Sequence, residues 1–347
     1  PHAQVAEILG IDWPIHPVDP AWTVHLGEKT ISQWNDRETW HAEMENNFPG
    51  SEPFWKTQER LSKITWQLSS RRFPWPPGSV QNLLDIYSSI KWNTLFALPY
   101  LTRKVSDLVP KRVDPLFTTF LDAQLLISAQ STAEHTNLLY GSAALDLPRQ
   151  GVNTLFGGIG ALAQTLAQWI TQHGGKILYR QEAEQIEFQH ERAVAIRTNK
   201  GLRLECDWII ANLTPPGLAK IMGKPFTTFL KYAPKNSWGA FTLYLGIETA
   251  NLPDDFVEHH QIIVDPSMPL GDGNSIFLSI SDAHDLSRAP KGTRAVTLST
   301  HTRITPWWEL YNSDRASYER QKEFYTQKMI RGAARVIPGL ESSIRLS

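Results

Sequence analysis

Apolar residues recur at three- and four-residue spacing in several stretches of the chain, and each such stretch predicts an amphipathic helix. Phe54, Gln58, Leu61, Thr65 and Leu68 share one face, with Trp55 and Trp66 nearby. Ser51-Glu52-Pro53 marks the start of that helix, because proline is tolerated in a first turn. A shorter helical pattern opens at Asp36-Arg37-Glu38 and breaks at Phe48-Pro49-Gly50-Ser51. Leu83, Tyr87, Ile90, Thr94, Leu98 and Leu101 form another apolar side, widened by Leu95-Phe96-Ala97. Pro99 is expected to kink it and Arg103-Lys104 to close it. Phe117, Phe120, Leu121, Gln124 and Leu125 fall on one face further on. So do Leu162, Leu166, Trp169 and Ile170, before a stop at His173-Gly174-Gly175. The last helix is expected from Asp314 to Ala334, with Tyr318, Tyr325, Met329 and Ala333 on its face and Pro338-Gly339 beyond its end.

Between these helices the period shortens toward two. Ala21 to Leu26, a Gly27-Glu28 turn and Thr30 to Trp34 predict a hairpin. Lys176 to Arg180, the beat at Ile186 and Phe188, Ala193 to Arg197 and Trp208 to Asn212 predict strands, with a turn at Asn199-Lys200-Gly201. After Pro215-Pro216 a short helix is expected. Strands then follow at Trp238 to Ile247, Gln261 to Val264, Ser275 to Ile280 and Arg294 to His301. Such a run of strands suggests an antiparallel sheet forming one wall of a pocket. Phe73-Pro74-Trp75-Pro76-Pro77-Gly78 cannot be helix interior. There is no internal repeat and no low-complexity segment.

The chain has 347 residues, a net charge of −1 from 34 basic and 35 acidic side chains, and no basic stripe, which argues against a nucleic-acid partner. Its one cysteine, Cys206, excludes an intramolecular disulfide framework and a Cys-based zinc site. No signal peptide is predicted, and no apolar run approaches the roughly 18 residues of a membrane span. Seven of the thirteen tryptophans lie in the first 75 residues. Core packing and membrane contact explain that equally well. The segment from Leu83 to Lys104 likewise reads either as an interfacial helix, with cations placed to meet lipid phosphates, or as a buried helix of a lid.

Motifs that carry chemistry are few. No G-x-S-x-G, P-loop or H-E-x-x-H occurs. His259 and His260 on one strand face opposite ways and cannot share a metal. A metal or acid–base role for Asp282, His284 and Asp285 is conceivable, though a solvated loop is the favoured reading. Asn212-Leu213-Thr214 is a formal glycosylation sequon, discounted at a strand end before proline. Gly158-Ile159-Gly160-Ala161-Leu162-Ala163 fits G-x-G-x-x-G/A, with Glu182 a little over twenty residues on, as in a dinucleotide turn. The segment before it, Gly151 to Phe156, is short and polar, unlike a buried parallel strand. That favours the other reading, a Gly-Gly that lets a loop pass close to something else.

Gly157-Gly158, the helix after it, His173 to Ile177, Glu182 to Ile186 and Asp207 to Pro215 together resemble the middle of the phytoene desaturase-like flavoproteins, within the amine-oxidase-like FAD superfamily. Glu52 to Trp55, Gly141 to Leu147, Phe241 to Ile247, His259-His260, Ala289 to Gly292 and Ile337 to Leu340 extend the resemblance over most of the chain. The branch it is most similar to is the carotenoid 3,4-desaturases. The resemblance implies an α/β fold with three parts. A partial, Rossmann-type FAD-binding domain spans 150–217, an antiparallel-sheet substrate domain spans 1–34 and 218–347, and a helical lid in contact with a membrane spans 35–149. It implies FAD as cofactor, touched by Gly157, Gly158, Ala183 (through its backbone), Ala211 and Asn212, and it names no catalytic residue. It implies a carotenoid substrate and a peripheral place at the cytoplasmic face of a membrane. The expected reaction is desaturation by hydride transfer to flavin, because no side chain can accept a hydride. Redox-neutral isomerisation on reduced FAD is a second reading, and a lipid-binding module without catalysis a third. The family's Gly-rich segments at either end of the FAD site have no counterpart here, so the chain is expected to be a fragment that purifies colourless.

Overall fold

A computed structural model describes residues 2–70, 78–89, 92–223, 238–250, 252–253 and 256–346. The proline-rich break at 73–77, together with Ile90 and Lys91, lies outside these residues. The chain divides into two compact units, one of residues 1–12 and 162–237 and one of residues 13–161 and 238–347.

The larger unit is built on a seven-stranded sheet. Its strands are β2 (Thr23–Leu26), β3 (Lys29–Ser32), β8 (Trp238–Glu248), β9 (His259–Ile263), β10 (Ser275–Ile280), β11 (Thr293–Arg303) and β12 (Ile344–Leu346), in the order β12-β8-β11-β10-β9-β2-β3. All neighbours are antiparallel except β2 and β9, which run parallel. The predicted hairpin is therefore an edge of this sheet. On one face Leu245, Ile247, Ile276, Leu278, Val296 and Leu298 pack with Met329, Ile330 and Ala333 of a long helix, Arg315–Ala333. Gly332 permits that approach, since a Cβ there would lie 2.4 Å from Ile276 Cδ1. Asp314 caps the helix by accepting from Ser317 N–H. The preceding helix, Ile304–Ser313, has no counterpart among the predicted elements.

Against the β2–β3 edge lies a helical layer of α2 (Arg37–Asn47), α3 (Glu52–Ser69), α6 (Leu116–Ala129) and α7 (Leu138–Leu145). In it Trp40, Phe48, Phe54, Trp55, Phe117 and Phe120 form one buried aromatic cluster with Val24, Leu26 and Ile31. Asp36 caps α2 through Thr39 N–H, and Asn137 caps α7 through Leu139 and Tyr140 N–H. The segment near Pro99 is broken rather than merely kinked. It forms α4 (Val80–Ser89), one turn at α5 (Trp92–Leu95) and a 3₁₀ turn at Leu98–Tyr100. Leu83, Tyr87, Phe96, Leu98 and Leu101 are exposed there, so the buried-helix reading does not hold for these side chains. No helix among the described residues is long and apolar enough to cross a membrane.

Residues 151–156 do not form a buried parallel strand. Instead β4 (Val152–Leu155) pairs antiparallel with β1 (Ile15–Val18) in a two-stranded ribbon. Helix α8 (Ile159–Gln172) follows and ends before Gly174, at φ +82°.

The smaller unit holds helix α1 (His2–Leu9), most of α8, a meander of β5 (Ala183–Gln189), β6 (Arg192–Thr198) and β7 (Arg203–Glu205), and α9 (Pro215–Met222). Trp169 Nε1 donates to Leu9 O at 2.8 Å. Two predicted strands are corrected here: neither 176–180 nor 208–212 is a strand, and the two segments share no sheet. A strand exists only where a neighbour takes its N–H and C=O groups. Among the described residues none lies alongside these two segments. Trp208 is 89% and Ile210 98% exposed, so the apolar run that suggested a buried strand covers nothing.

Candidate functional site

Helices α3, α6 and α7 and the β2–β3 edge enclose a cavity of about 390 Å³. Trp22, Trp40, Trp55, Ile127, Leu145 and Val152 supply its apolar wall. One polar relay crosses it. Arg149 Nη1 donates to Gln33 Oε1 at 2.9 Å, Gln33 Nε2 to Gln124 Oε1 at 3.0 Å and Gln124 Nε2 to Gln261 Oε1 at 2.6 Å. Gln261 Nε2 closes the line on Ala123 O at 2.9 Å, and Trp22 Nε1 joins it at Gln124 Oε1. Each amide thus donates and accepts in one direction, which removes the cost of burying three carboxamides. The sequence signal for this relay is a glutamine, Gln124, in the middle of an otherwise apolar helix face. Gln33 and Arg149 carry no such signal.

Arg149 lies across the Trp40 ring, 4.1 Å from its centroid. Burial draws its pKa down to about 9, the nearby Asp146 charge works against that, and Arg37 adds to it; the guanidinium stays charged at neutral pH. Asp146 makes no ion pair with it. The two oxygens of Asp146 are taken by Arg37 Nη2 at 2.9 Å, Trp66 Nε1 at 3.1 Å and Gln150 Nε2 at 2.6 Å. Arg149 is therefore a cation at an aromatic pocket wall, with only neutral acceptors among the described residues.

The Gly157-Gly158 turn sits elsewhere in the same unit. Gly157 N–H donates to Asp285 Oδ2 at 2.7 Å, and Gly158 N–H to Leu155 O at 3.0 Å. A Cβ on Gly158 would lie 2.1 Å from Arg288 Nη1. Both glycines have positive φ, +77° and +69°. Burial tends to raise the Asp285 pKa, but hydrogen bonds from Ser287 and Gly157 outweigh it and hold the carboxyl below its ordinary value. A carboxylate thus occupies the position that a pyrophosphate would need, which does not fit a dinucleotide turn. Close approach of the 285–288 loop accounts for both glycines.

In the smaller unit Ala183 is exposed at the start of β5, and Ala211 and Asn212 are exposed outside any strand. Glu182 meets Asn199 on both sides, N–H to Oδ1 and C=O from N–H. Asn212 does not close a sheet, contrary to the expectation for it and Ala211. Thr214, of the discounted sequon, caps α9.

His259 and His260 diverge as their alternation requires. His259 Nδ1 meets Ser279 Oγ at 2.9 Å, whereas His260 Nε2 donates to Val257 O at 2.8 Å. That fixes the tautomer, so His260 Nδ1 accepts from His25 Nε2 at 3.1 Å. Burial first, then the neighbouring His25, pushes the His260 pKa down to about 4, against a weaker upward pull from the Val257 carbonyl. The neutral form is the folded one, so the stabilisation is complete above about 6.5 and is lost as pH falls toward 4. The loss is on the order of 3 kcal/mol. Urea midpoints measured at pH 7.5 and 4.5 should differ accordingly, and His260→Gln should shrink the difference. An unchanged difference in that variant would place the proton uptake elsewhere.

No family model matches the chain. It is 30% identical to the chloroplastic prolycopene isomerase of Daucus carota over 261 residues, covering 71% of this chain and 41% of that protein. The Arabidopsis thaliana prolycopene isomerase matches at 30% over 256 residues, 71% of this chain and 42% of the relative. A 4,4'-diapophytoene desaturase from Methylomonas is 22% identical over 315 residues, 81% of this chain and 56% of that protein. Among solved structures, an oxidoreductase from Methanosarcina mazei superposes with a TM-score of 0.54 at 14% identity, over 97% of this chain and 70% of that one. Cyclohexylamine oxidase from Brevibacterium oxydans gives 0.51 at 12% identity, over 99% and 69%. These two share the fold. The chain spans about two fifths of the length of the plant isomerases it matches. On these likenesses the chain is a homologue of the prolycopene isomerases and of a diapophytoene desaturase, and it shares the fold of cyclohexylamine oxidase.

Proposed function

We propose that the chain is part of a flavoprotein that desaturates a carotenoid. The observation that carries this is the largely apolar cavity walled by Trp22, Trp40 and Trp55, which suits an extended apolar polyene. Among the described residues this cavity holds no acid–base pair, only the amide relay and Arg149. FAD, when bound, supplies the hydride acceptor that no side chain provides. Ala183 would meet its adenosine end through the backbone, with Ala211 and Asn212 near the cofactor. Gly157 and Gly158 would approach FAD by atoms other than their N–H groups, which are already engaged. The three tryptophans orient the chain of double bonds, and the relay keeps Arg149 fixed at the wall.

Isomerisation without net redox change is a second reading, favoured by the higher identity to the prolycopene isomerases, 30% against 22% for the desaturase. Incubating the protein that carries this chain with FAD and an acyclic carotene separates the readings. A product lighter by two hydrogens with red-shifted absorption supports desaturation. A product of unchanged mass but altered geometry supports isomerisation. Binding with neither change supports a lipid-binding module and overturns both.

A carotenoid partitions into bilayers, so we also infer peripheral docking on the cytoplasmic face of a membrane through Leu83, Tyr87, Phe96, Leu98 and Leu101, which are exposed together with Arg103 and Lys104. Phe96→Glu with Leu98→Glu should lower liposome co-sedimentation several-fold and leave far-UV circular dichroism unchanged. Undiminished sedimentation would move the contact elsewhere.

A further inference from the structure

Three sequence-distant side chains converge beside the β1–β4 ribbon, and none belongs to the aromatic cavity. His16 lies on β1, Glu258 precedes β9 and Asp282 follows β10. His16 Nε2 is 3.8 Å from Glu258 Oε1 and 3.9 Å from Asp282 Oδ2. These are too far for hydrogen bonds, which need about 2.7–3.2 Å. The other oxygen of each carboxylate is engaged: Glu258 Oε2 accepts from Thr154 Oγ1 at 2.7 Å, and Asp282 Oδ1 from His284 N–H at 2.6 Å. The facing atoms, His16 Nε2, Glu258 Oε1 and Asp282 Oδ2, have no hydrogen-bond partner among the described residues. All three side chains are partly buried, so water screens the two carboxylates only in part.

We propose that these three atoms bind one divalent first-row cation, Mn²⁺ or Zn²⁺. One atom from each residue can be chosen so that all lie within 4.8 Å of one another. For a cation about 2.1–2.2 Å from each ligand, the two separations from His16 Nε2 need to shorten by a few tenths of an ångström. One imidazole with two carboxylates is a donor set of borderline hardness, which favours these ions over Ca²⁺. The surroundings hold the ligands in place. Thr154 fixes Glu258, and the Phe156 ring lies 4.8 Å from the His16 ring. Arg294, itself buried, donates to Ser281 O, and its positive charge interacts with both Glu258 and Asp282. A bound cation would tie β1, and with it β4, to the loops that flank β9 and β10. The site is independent of the proposed carotenoid reaction.

The test is titration of the EDTA-treated protein with MnCl₂, read as loss of the free-ion electron paramagnetic resonance signal, and with ZnCl₂ by calorimetry. One Mn²⁺ per chain is expected, with affinity lowered about 10-fold or more in His16→Ala and in Asp282→Asn. His284→Ala should change it less than about 2-fold, because its imidazole is exposed and outside the set. Circular dichroism in EDTA establishes whether each variant is folded. Should His16→Ala not fold, Thr154→Val, which keeps the shape and frees Glu258, must weaken binding instead. Absence of Mn²⁺ binding by the unmodified protein at millimolar concentration would overturn the proposal. So would Zn²⁺ binding that is unchanged in folded His16→Ala and Asp282→Asn, or Mn²⁺ binding unchanged in Thr154→Val.

Discussion

Replacing Asp146 with alanine is expected to destabilise the larger unit by about 3–5 kcal/mol, the range for breaking a buried, hydrogen-bonded ion pair from one side. Its side chain is 1% exposed and serves Arg37, Trp66 and Gln150 at once. Removal leaves three donors without that acceptor and takes away the negative charge that favours the charged form of Arg149. Arg37 keeps a partial alternative in Glu59 at 3.8 Å, which places the expected loss toward the lower end. Urea unfolding followed by tryptophan fluorescence measures it, since all the tryptophans except Trp169 and Trp208 lie in this unit. Asp146→Asn should lose less, because one oxygen still accepts. The exposed pair Lys63–Glu59 is the control: Lys63→Ala should cost less than about 1 kcal/mol. An Asp146→Ala protein within 1 kcal/mol of the unmodified one would mean that water replaces the carboxylate, and that the pocket is wetter than its tryptophans imply.

The helices and the large sheet were legible because their period is set by burial on one face. Phe117, Phe120, Leu121, Gln124 and Leu125 share a face in the sequence and are all buried in α6. Strand β11 alternates along its length, as a strand of an antiparallel sheet with one helix-covered face must. The failures have a common cause. Trp208 to Asn212 reads as a buried strand because it is apolar, yet strand formation depends on a neighbouring backbone that no local pattern encodes. The same limit applies at Gly158-Ile159-Gly160. Its spacing matches a dinucleotide turn, but the groups that decide its use, Asp285 and Arg288, are more than a hundred residues away. The His16, Glu258 and Asp282 cluster was invisible for that reason too. Asp282 stood out only beside its loop neighbours His284 and Asp285, His16 and Glu258 are unremarkable polar residues in their own segments, and only the return of β1 and β4 to the sheet end joins the three. Arg149 and Gln33 escaped notice because a single polar residue in a loop or strand carries no periodic signature.

Phe117→Ala is expected to cost about 3–5 kcal/mol, as large-to-small changes at fully buried aromatic sites do. The ring is wholly buried, with the rings of Phe48, Phe54 and Trp55 at 5.2, 5.3 and 5.8 Å, mostly edge to face. Alanine removes every one of these contacts. Collapse into the space is resisted on two sides, by Trp55, whose ring is braced against Trp40 at 5.2 Å, and by Phe48, braced against Phe120 at 5.5 Å. Phe117→Leu keeps most of the volume and should lose about 1–1.5 kcal/mol. Phe324, 59% exposed on the long C-terminal helix, is the contrast, and Phe324→Ala should fall within about 0.5 kcal/mol of the unmodified protein. The cluster also supports the proposed ligand cavity, because Trp40 and Trp55 belong to both. Loosening Phe117 should therefore weaken quenching of tryptophan fluorescence by an added polyene before it unfolds the protein. If Phe117→Ala lost stability while polyene quenching stayed at full strength, the aromatic cluster would serve only as core, and the ligand would have to bind away from Trp40 and Trp55.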